Sequence, residues 1–318
     1  MSELNKFLFD GLPVRGVLVR LDDAWQDILR RREEAGGYPA AVRRLLGEMS
    51  AAATLMQANI KFNGALLLQI EGDGPVRLAV AEVQSDLAFR ATAKVTAAVA
   101  DDAGLTDLVN RHGQGRCAIT LDPRDRQPGQ HPYQGVVSLA HGEGSGGNTL
   151  AHALEHYMRQ SEQLDTRIIL AADDEVAAGL LIQRLPTEGN TNLGGAEGAS
   201  SVDADEAFHR ISVLAATVKP EELLRLDTDT LLRRLFWEED LRRFEPQTPH
   251  FACTCSLERV QLMLRNLGRT EIDEVIDERG EIEVGCDFCG QQYRFDTIDI
   301  DKLFGPDIDH PPSSDLLQ

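Results

Sequence analysis

Apolar side chains recur at intervals of three and four along residues 41–56, at Val42, Leu45, Leu46, Met49, Ala52, Ala53 and Met56. That spacing predicts a helix with a continuous buried face. Val14–Leu21 before it reads as a strand. Residues 65–70 and 76–83 are apolar and strand-like, and Gly72-Asp73-Gly74-Pro75 between them supplies a hairpin turn. Further strands are predicted at 87–95, 117–121 and 135–139, a helix at 149–164, and strands at 167–171 and 178–185. The hairpin argues for substantial antiparallel pairing. The predicted fold class is α+β. A mixed α/β N-terminal domain with an antiparallel sheet comes first, then a helical linker, then a small C-terminal α+β module.

The boundaries follow from breaks in this pattern. Residues 1–186 form the α/β core domain. Glycines with Asn, Thr and Ser, and almost no large apolar residue, fill 187–201 and read as a flexible stretch. Helical stripes follow over 203–241, through Phe208, Ile211, Leu214, Leu223, Leu224, Leu231, Leu232, Leu235 and Phe236, with Pro220 interrupting them. Flexible and helical parts together make a linker over 187–249, closed by Pro246 and Pro249. A module occupies 250–304. The Pro- and Asp-rich residues 305–318 read as a disordered tail.

Charge narrows the function classes. The net charge is −20 and there are only five lysines. Nucleic-acid binders need clustered cations to displace counterions, so a nucleic-acid partner is not expected. Anionic membrane surfaces are disfavoured for the same reason. No apolar run approaches the ~20 residues of a spanning helix. Glu3, Lys6 and Asp10 around a short apolar patch do not read as a signal peptide. The expected compartment is the cytoplasm, where clustered cysteines are more often metal-binding or catalytic than disulfide-bonded.

Such a cluster is present. Cys253-Thr254-Cys255 is followed, after 30 residues, by Cys286-Asp287-Phe288-Cys289-Gly290. Zinc takes four thiolates in a tetrahedron at about 2.3 Å, and two close pairs can supply them. Gly290 permits the tight turn that aims backbone amides at sulfur. Residues 281–284 and 293–295 can form a small hairpin around the turn. Cys253, Cys255, Cys286 and Cys289 are therefore the expected ligands, with zinc as the cofactor. Spacing alone leaves open whether such a zinc is purely structural. Cys117 lies in an apolar strand and reads as a core residue.

These elements resemble the heat-shock protein 33 family of redox-regulated chaperones. The resemblance extends to Lys61-Phe62-Asn63-Gly64, Tyr133-Gln134-Gly135, Arg159-Gln160-Ser161-Glu162-Gln163-Leu164, Glu221-Glu222-Leu223-Leu224 and Trp237-Glu238-Glu239. It spans about 14–304. The chain departs from the family pattern in the glycines at 142–147, in the length of its linker and at Asp165. The resemblance implies an ATP-independent holdase, not an enzyme, that protects unfolding proteins under oxidative stress. Its reduced, zinc-bound form would be inactive. Oxidation would join Cys253 to Cys255 and Cys286 to Cys289, release zinc, unfold the C-terminal switch and expose apolar surface to unfolded or aggregation-prone clients. A homodimer of the oxidised form is a further expectation. No client-binding residue is nominated. The absence of a G-x-x-x-x-G-K-[ST] loop agrees with ATP independence.

Two motifs support the alternative, a nucleotide-dependent oxidoreductase or a metallopeptidase carrying a structural zinc ribbon. Residues 142–147 satisfy G-x-G-x-x-G, and Asp173 and Asp174 follow the next strand, where a ribose-binding acid would stand. His152, Glu155 and His156 satisfy H-x-x-E-H, which places both imidazoles on one helix face. The bland readings are a glycine-rich loop and polar residues at a helix edge. No third zinc ligand accompanies the histidines.

Overall fold

The chain opens on β1 (Glu3–Phe9), which pairs antiparallel with β2 (Val14–Leu21). Helices α1 (Asp23–Glu33) and α2 (Ala40–Asn59) follow, then the meander β3 (Gly64–Glu71), β4 (Val76–Gln84) and β5 (Ala88–Val95). A short α3 (Leu105–Val109) leads into β6 (Arg116–Pro123) and β7 (Tyr133–Ser138). Next come α4 (Leu150–Ser161), β8 (Thr166–Ala172) and β9 (Ala177–Arg184). The structure is a computed structural model and describes residues 1–33, 36–126, 129, 131–139, 149–186 and 201–305. The predicted linker glycines and tail lie outside the described residues. The chain divides into two units, Met1–Ala252 and Cys253–Gln318.

The first unit is built around α2. Its buried residues surround the whole helix, from Ala41 and Val42 to Leu55 and Met56, with Ser50 and Thr54 among them. A helix that is apolar on all sides belongs in an interior. The two buried hydroxyls are satisfied within the helix, Ser50 Oγ donating to Leu46 O at 2.8 Å and Thr54 Oγ1 to Ser50 O at 2.7 Å. Two sheets flank it. One runs β10-β1-β2-β9-β8, where β10 is Leu241–Arg243. The other runs β11-β5-β4-β3-β6-β7, where β11 is His250–Phe251. All pairings are antiparallel except β11 with β5. The fold is thus α+β with predominantly antiparallel sheets.

The opposite face of the first sheet carries a second core. Phe7, Phe9, Leu18, Leu180 and Ile182 meet α5 (Ser201–Ala215), α6 (Pro220–Arg225) and α7 (Thr228–Phe236) through Ile211, Leu223, Leu231, Leu235 and Phe236. Phe236 stands edge-on to Phe9, ring centroids 5.0 Å apart. The stripes assigned from sequence to a linker therefore pack directly on the sheet of the first unit. The helical pattern stops at Phe236, not Leu241, because β10 pairs with β1 and takes Leu241 into the sheet. Residues 247–252 also join this unit. Leu4 and Gln247 exchange both backbone hydrogen bonds at 2.8 and 2.9 Å, and Ala252 N donates to Phe89 O.

The second unit packs α8 (Leu257–Leu267), α9 (Arg269–Arg279) and α10 (Thr297–Phe304) with the hairpin β12 (Ile282–Gly285) and β13 (Gln292–Phe295). Seven buried apolar residues form its core: Val260, Leu264, Ile272, Ile282, Phe295, Ile300 and Leu303.

Candidate metal centre

The four cysteines are brought together by local rules. Cys253 and Cys255 lie on the strand-free segment before α8. Ser256 caps that helix by accepting from Arg259 N, and Arg259 Nη1 reaches back to Thr254 O at 2.8 Å. Both bonds fix the turn between the first two thiols and the helix. The second pair sits at the end of the β12–β13 hairpin. There Cys286 N donates to Gln291 O at 2.9 Å, and Gly290 N to Cys286 O at 2.8 Å. Gly290 adopts φ 72°, in the left-handed region that a side chain would strain. The turn points the amides of Phe288 and Cys289 at Cys286, and that of Gln291 at Cys289.

All four Sγ atoms lie within 4.8 Å of one another. Cys253 approaches Cys286 at 3.6 Å, and Cys255 approaches Cys289 at 3.4 Å. Four sulfurs each ~2.3 Å from one centre would stand ~3.8 Å apart, so the cluster has the dimensions of a tetrathiolate site. The donor chemistry also fits. Four soft thiols without a carboxylate or imidazole suit zinc with no open coordination position. Cys289 is buried and the other three are half-buried.

Burial works against ionisation throughout. At Cys253 it is outweighed by donors from the Cys255 amide and the Cys255, Cys289 and Cys286 thiols, which bring this thiol down to about 7. At Cys286 and Cys289 burial prevails, and both are held above the ordinary thiol range. Tyr293 Oη donates to Cys255 Sγ at 3.3 Å. From sequence Tyr293 reads only as part of the supporting hairpin; its bond to sulfur has no local signal beyond the alternation of β13.

The other motifs do not assemble a site. Glu155 Oε1 accepts from Ile168 N at 2.7 Å and its other oxygen faces Arg167, so the acid ties α4 to β8. His152 Nδ1 bonds Thr149 Oγ1, and both histidines are exposed. Asp173 Oδ1 accepts from Glu175 N and Val176 N, and Asp174 pairs with Arg43. These acids shape the β8–β9 turn. The glycines at 142–147 lie outside the described residues. Cys117 is fully buried on β6, where burial pushes its thiol up to about 12. Among the described residues, only the four clustered cysteines are arranged to hold a metal.

The family model of the Hsp33 protein matches residues 2–296. The chain belongs to the Hsp33 family. The 33 kDa chaperonin of Chromobacterium violaceum is 46% identical over 308 residues, covering 96% of this chain and 95% of that protein. The 33 kDa chaperonin of Neisseria meningitidis serogroup A is 45% identical over 306 residues, covering 96% and 92%. A crystal structure of the 33 kDa chaperonin (heat shock protein 33 homolog) from Thermotoga maritima superposes with TM-score 0.75 at 20% identity. It covers 95% of this chain and 98% of that one. The likeness to that structure concerns the fold. The Hsp33 family is one of chaperones, as the names of these relatives state. No helix among the described residues is long and apolar enough to cross a membrane.

Proposed function

We propose that the protein is an ATP-independent holdase of the cytoplasm, held inactive while reduced and switched on by oxidation. The observation that carries this reading is the cluster of four thiols inside a unit with so small a core. Cys253, Cys255, Cys286 and Cys289 would hold one zinc ion. When bound, zinc keeps the thiols as thiolates and cross-links the segment before α8 to the β12–β13 hairpin. Its contribution in small modules is on the order of 10–16 kcal/mol of apparent binding free energy. The seven buried apolar side chains must already offset the entropy of ordering the whole unit, which leaves its fold dependent on a term of that size.

Peroxide is the oxidant class we assign. Two equivalents accept four electrons from the four thiolates, and both O–O bonds break to give water or hydroxide. Two S–S bonds form, Cys253–Cys255 and Cys286–Cys289. The pairing follows the family resemblance and the adjacency of these residues along the chain. The disulfides no longer offer thiolates, so the module loses its cross-link and unfolds. Apolar surface then becomes available to unfolded or aggregation-prone clients, and two oxidised chains associate. The protein carries out no covalent chemistry on its clients.

The test combines metal analysis with peptide mapping before and after peroxide. Reduced protein should hold one zinc per chain. Oxidised protein should hold none and should yield the two neighbouring disulfides with Cys117 free. Zinc near zero in carefully reduced protein, or Cys117 in the main disulfide, would overturn the reading.

A further inference from the structure

The first unit holds a polar cluster that the proposed switch does not use. Arg15 on β2 and Gln183 on β9 are opposite each other in register. The Arg15 guanidinium donates through Nε at 3.0 Å, and through Nη2, to Gln183 Oε1. The same oxygen accepts from Asn59 Nδ2 at 3.2 Å, while Gln183 Nε2 donates to Thr166 Oγ1 at 2.9 Å. Thr166 Oγ1 donates onward to Leu164 O. Gln183 is only 1% exposed. Its amide cannot turn over without facing its NH2 against the donors of Arg15 and Asn59. The guanidinium is thus held in place by a buried, fully committed side chain.

What it lacks is a counter-ion. A guanidinium offers five N–H donors suited to a planar pair of oxygens. Gln183 engages two of them and carries no charge. Among the described residues Arg15 forms no ion pair, and a second cation, Lys6, lies near it. Burial disfavours the charged form of both, and at Lys6 the Arg15 charge adds to it.

Beside Arg15 opens an apolar slot of about 90 Å³. Its walls include Met56, Leu66, Ile119, Leu121, Met158 and Leu181, and Arg15 and Gln183 form part of its lining. Glu162 is the one acid in the lining, and its Oε1 is occupied by Tyr157 Oη at 2.7 Å and Tyr133 Oη at 3.3 Å. The slot is smaller than the ~150 Å³ apolar cavity that holds a benzene ring, which limits an occupant to a tail of a few carbons.

We propose that this slot binds a small carboxylate with a short aliphatic tail. The carboxylate takes the unused N–H groups of Arg15, and the tail enters the apolar walls. A positive, pre-positioned fork next to an apolar slot selects both ends of such a molecule.

The chain has five methionines, and two of them, Met56 and Met158, line the slot. Methyl-labelled methionine therefore reports on the site directly, with Met49 and Met263 as internal controls. Reduced, zinc-loaded full-length protein is titrated with butanoate, butanol and butylamine. Butanoate should shift the Met56 and Met158 methyl signals saturably, with Kd about 1 mM, and leave Met49 and Met263 in place. Butanol and butylamine should bind at least ~10-fold more weakly, the loss of a charge-assisted pair. Arg15→Gln should weaken butanoate by a similar factor and leave butanol unchanged. Absence of a saturable shift at Met56 and Met158, equal affinity for butanoate and butanol, or an Arg15→Gln variant that binds butanoate as the parent does would overturn the proposal. Should Arg15→Gln fail to fold, the three-ligand comparison on the unaltered protein decides alone.

Discussion

Cys117 and the four clustered cysteines are the same residue in opposite surroundings. Cys117 is enclosed by the core around α2, where burial with no compensating donor keeps its thiol protonated and inert. The clustered thiols are half-buried or buried too, but amides and each other's S–H groups aim at them. Glu48 on α2 shows the same competition in a carboxyl. Burial pushes it up to about 7, with the Arg44 charge pulling partly the other way. Its value in the unfolded chain is near 4.3. A raised carboxyl pKa means the folded state holds the proton more tightly, so stability from this group falls as pH rises from about 4.3 to about 7. Glu48→Gln cannot lose that proton. Its stability relative to the parent should therefore grow by on the order of 2–3 kcal/mol between pH 5 and pH 8. Urea unfolding of both proteins at the two pH values checks this. An unchanged difference would show that Glu48 titrates normally.

At the scale of elements, the three helices α5 to α7 are held on the sheet by a shared apolar seam. Phe236 is central to it, 2% exposed and in contact with Phe7 and Phe9. Phe236→Ala should cost about 3–5 kcal/mol, the usual range for emptying an aromatic core site. If undocking of these helices provides the client surface, the variant should also show partial holdase activity while still reduced. Chemical denaturation and an aggregation assay read the two effects separately. Much of this layer was legible in sequence, because a helix repeats its apolar face every three or four residues. The cysteine site was legible for a similar reason, since each pair is close along the chain. Less legible were features made by distant pairing. β1 reads as a short apolar patch until β2 and β10 lie on either side of it. β11 is two residues long and exists only through β5. The bond from Arg15 to Gln183 spans 168 positions, and no local pattern announces it.

For the whole molecule, the division at Ala252 and Cys253 sets where the proposed switch can be cut away. Ending the chain at Glu245 would remove Gln247, His250 and Phe251, which pair with β1 and β5 in the first unit. Ending it after Ala252 spares them. That shortened chain should fold and act as a holdase indifferent to oxidant, because the cysteine-bearing unit is gone while the α/β unit is complete. Trp237 is 75% exposed and Trp25 fully buried, donating to Asp173 O at 2.8 Å. The two indoles should therefore be separable by emission without replacing Trp25, whose loss would open the core. A folded but inactive shortened chain would place control of activity outside the cysteine-bearing unit. Whether oxidation of four thiols turns a dormant protein into a holdase can be read in one assay. Aggregation of a heat-denatured client is followed by light scattering, without ATP, in the presence of reduced, zinc-loaded protein or of the same protein after peroxide. Little protection is expected from the reduced form and strong suppression of scattering from the oxidised form, reversed when thiols are restored and zinc is supplied. Equal protection by both forms, or none by either, would contradict it.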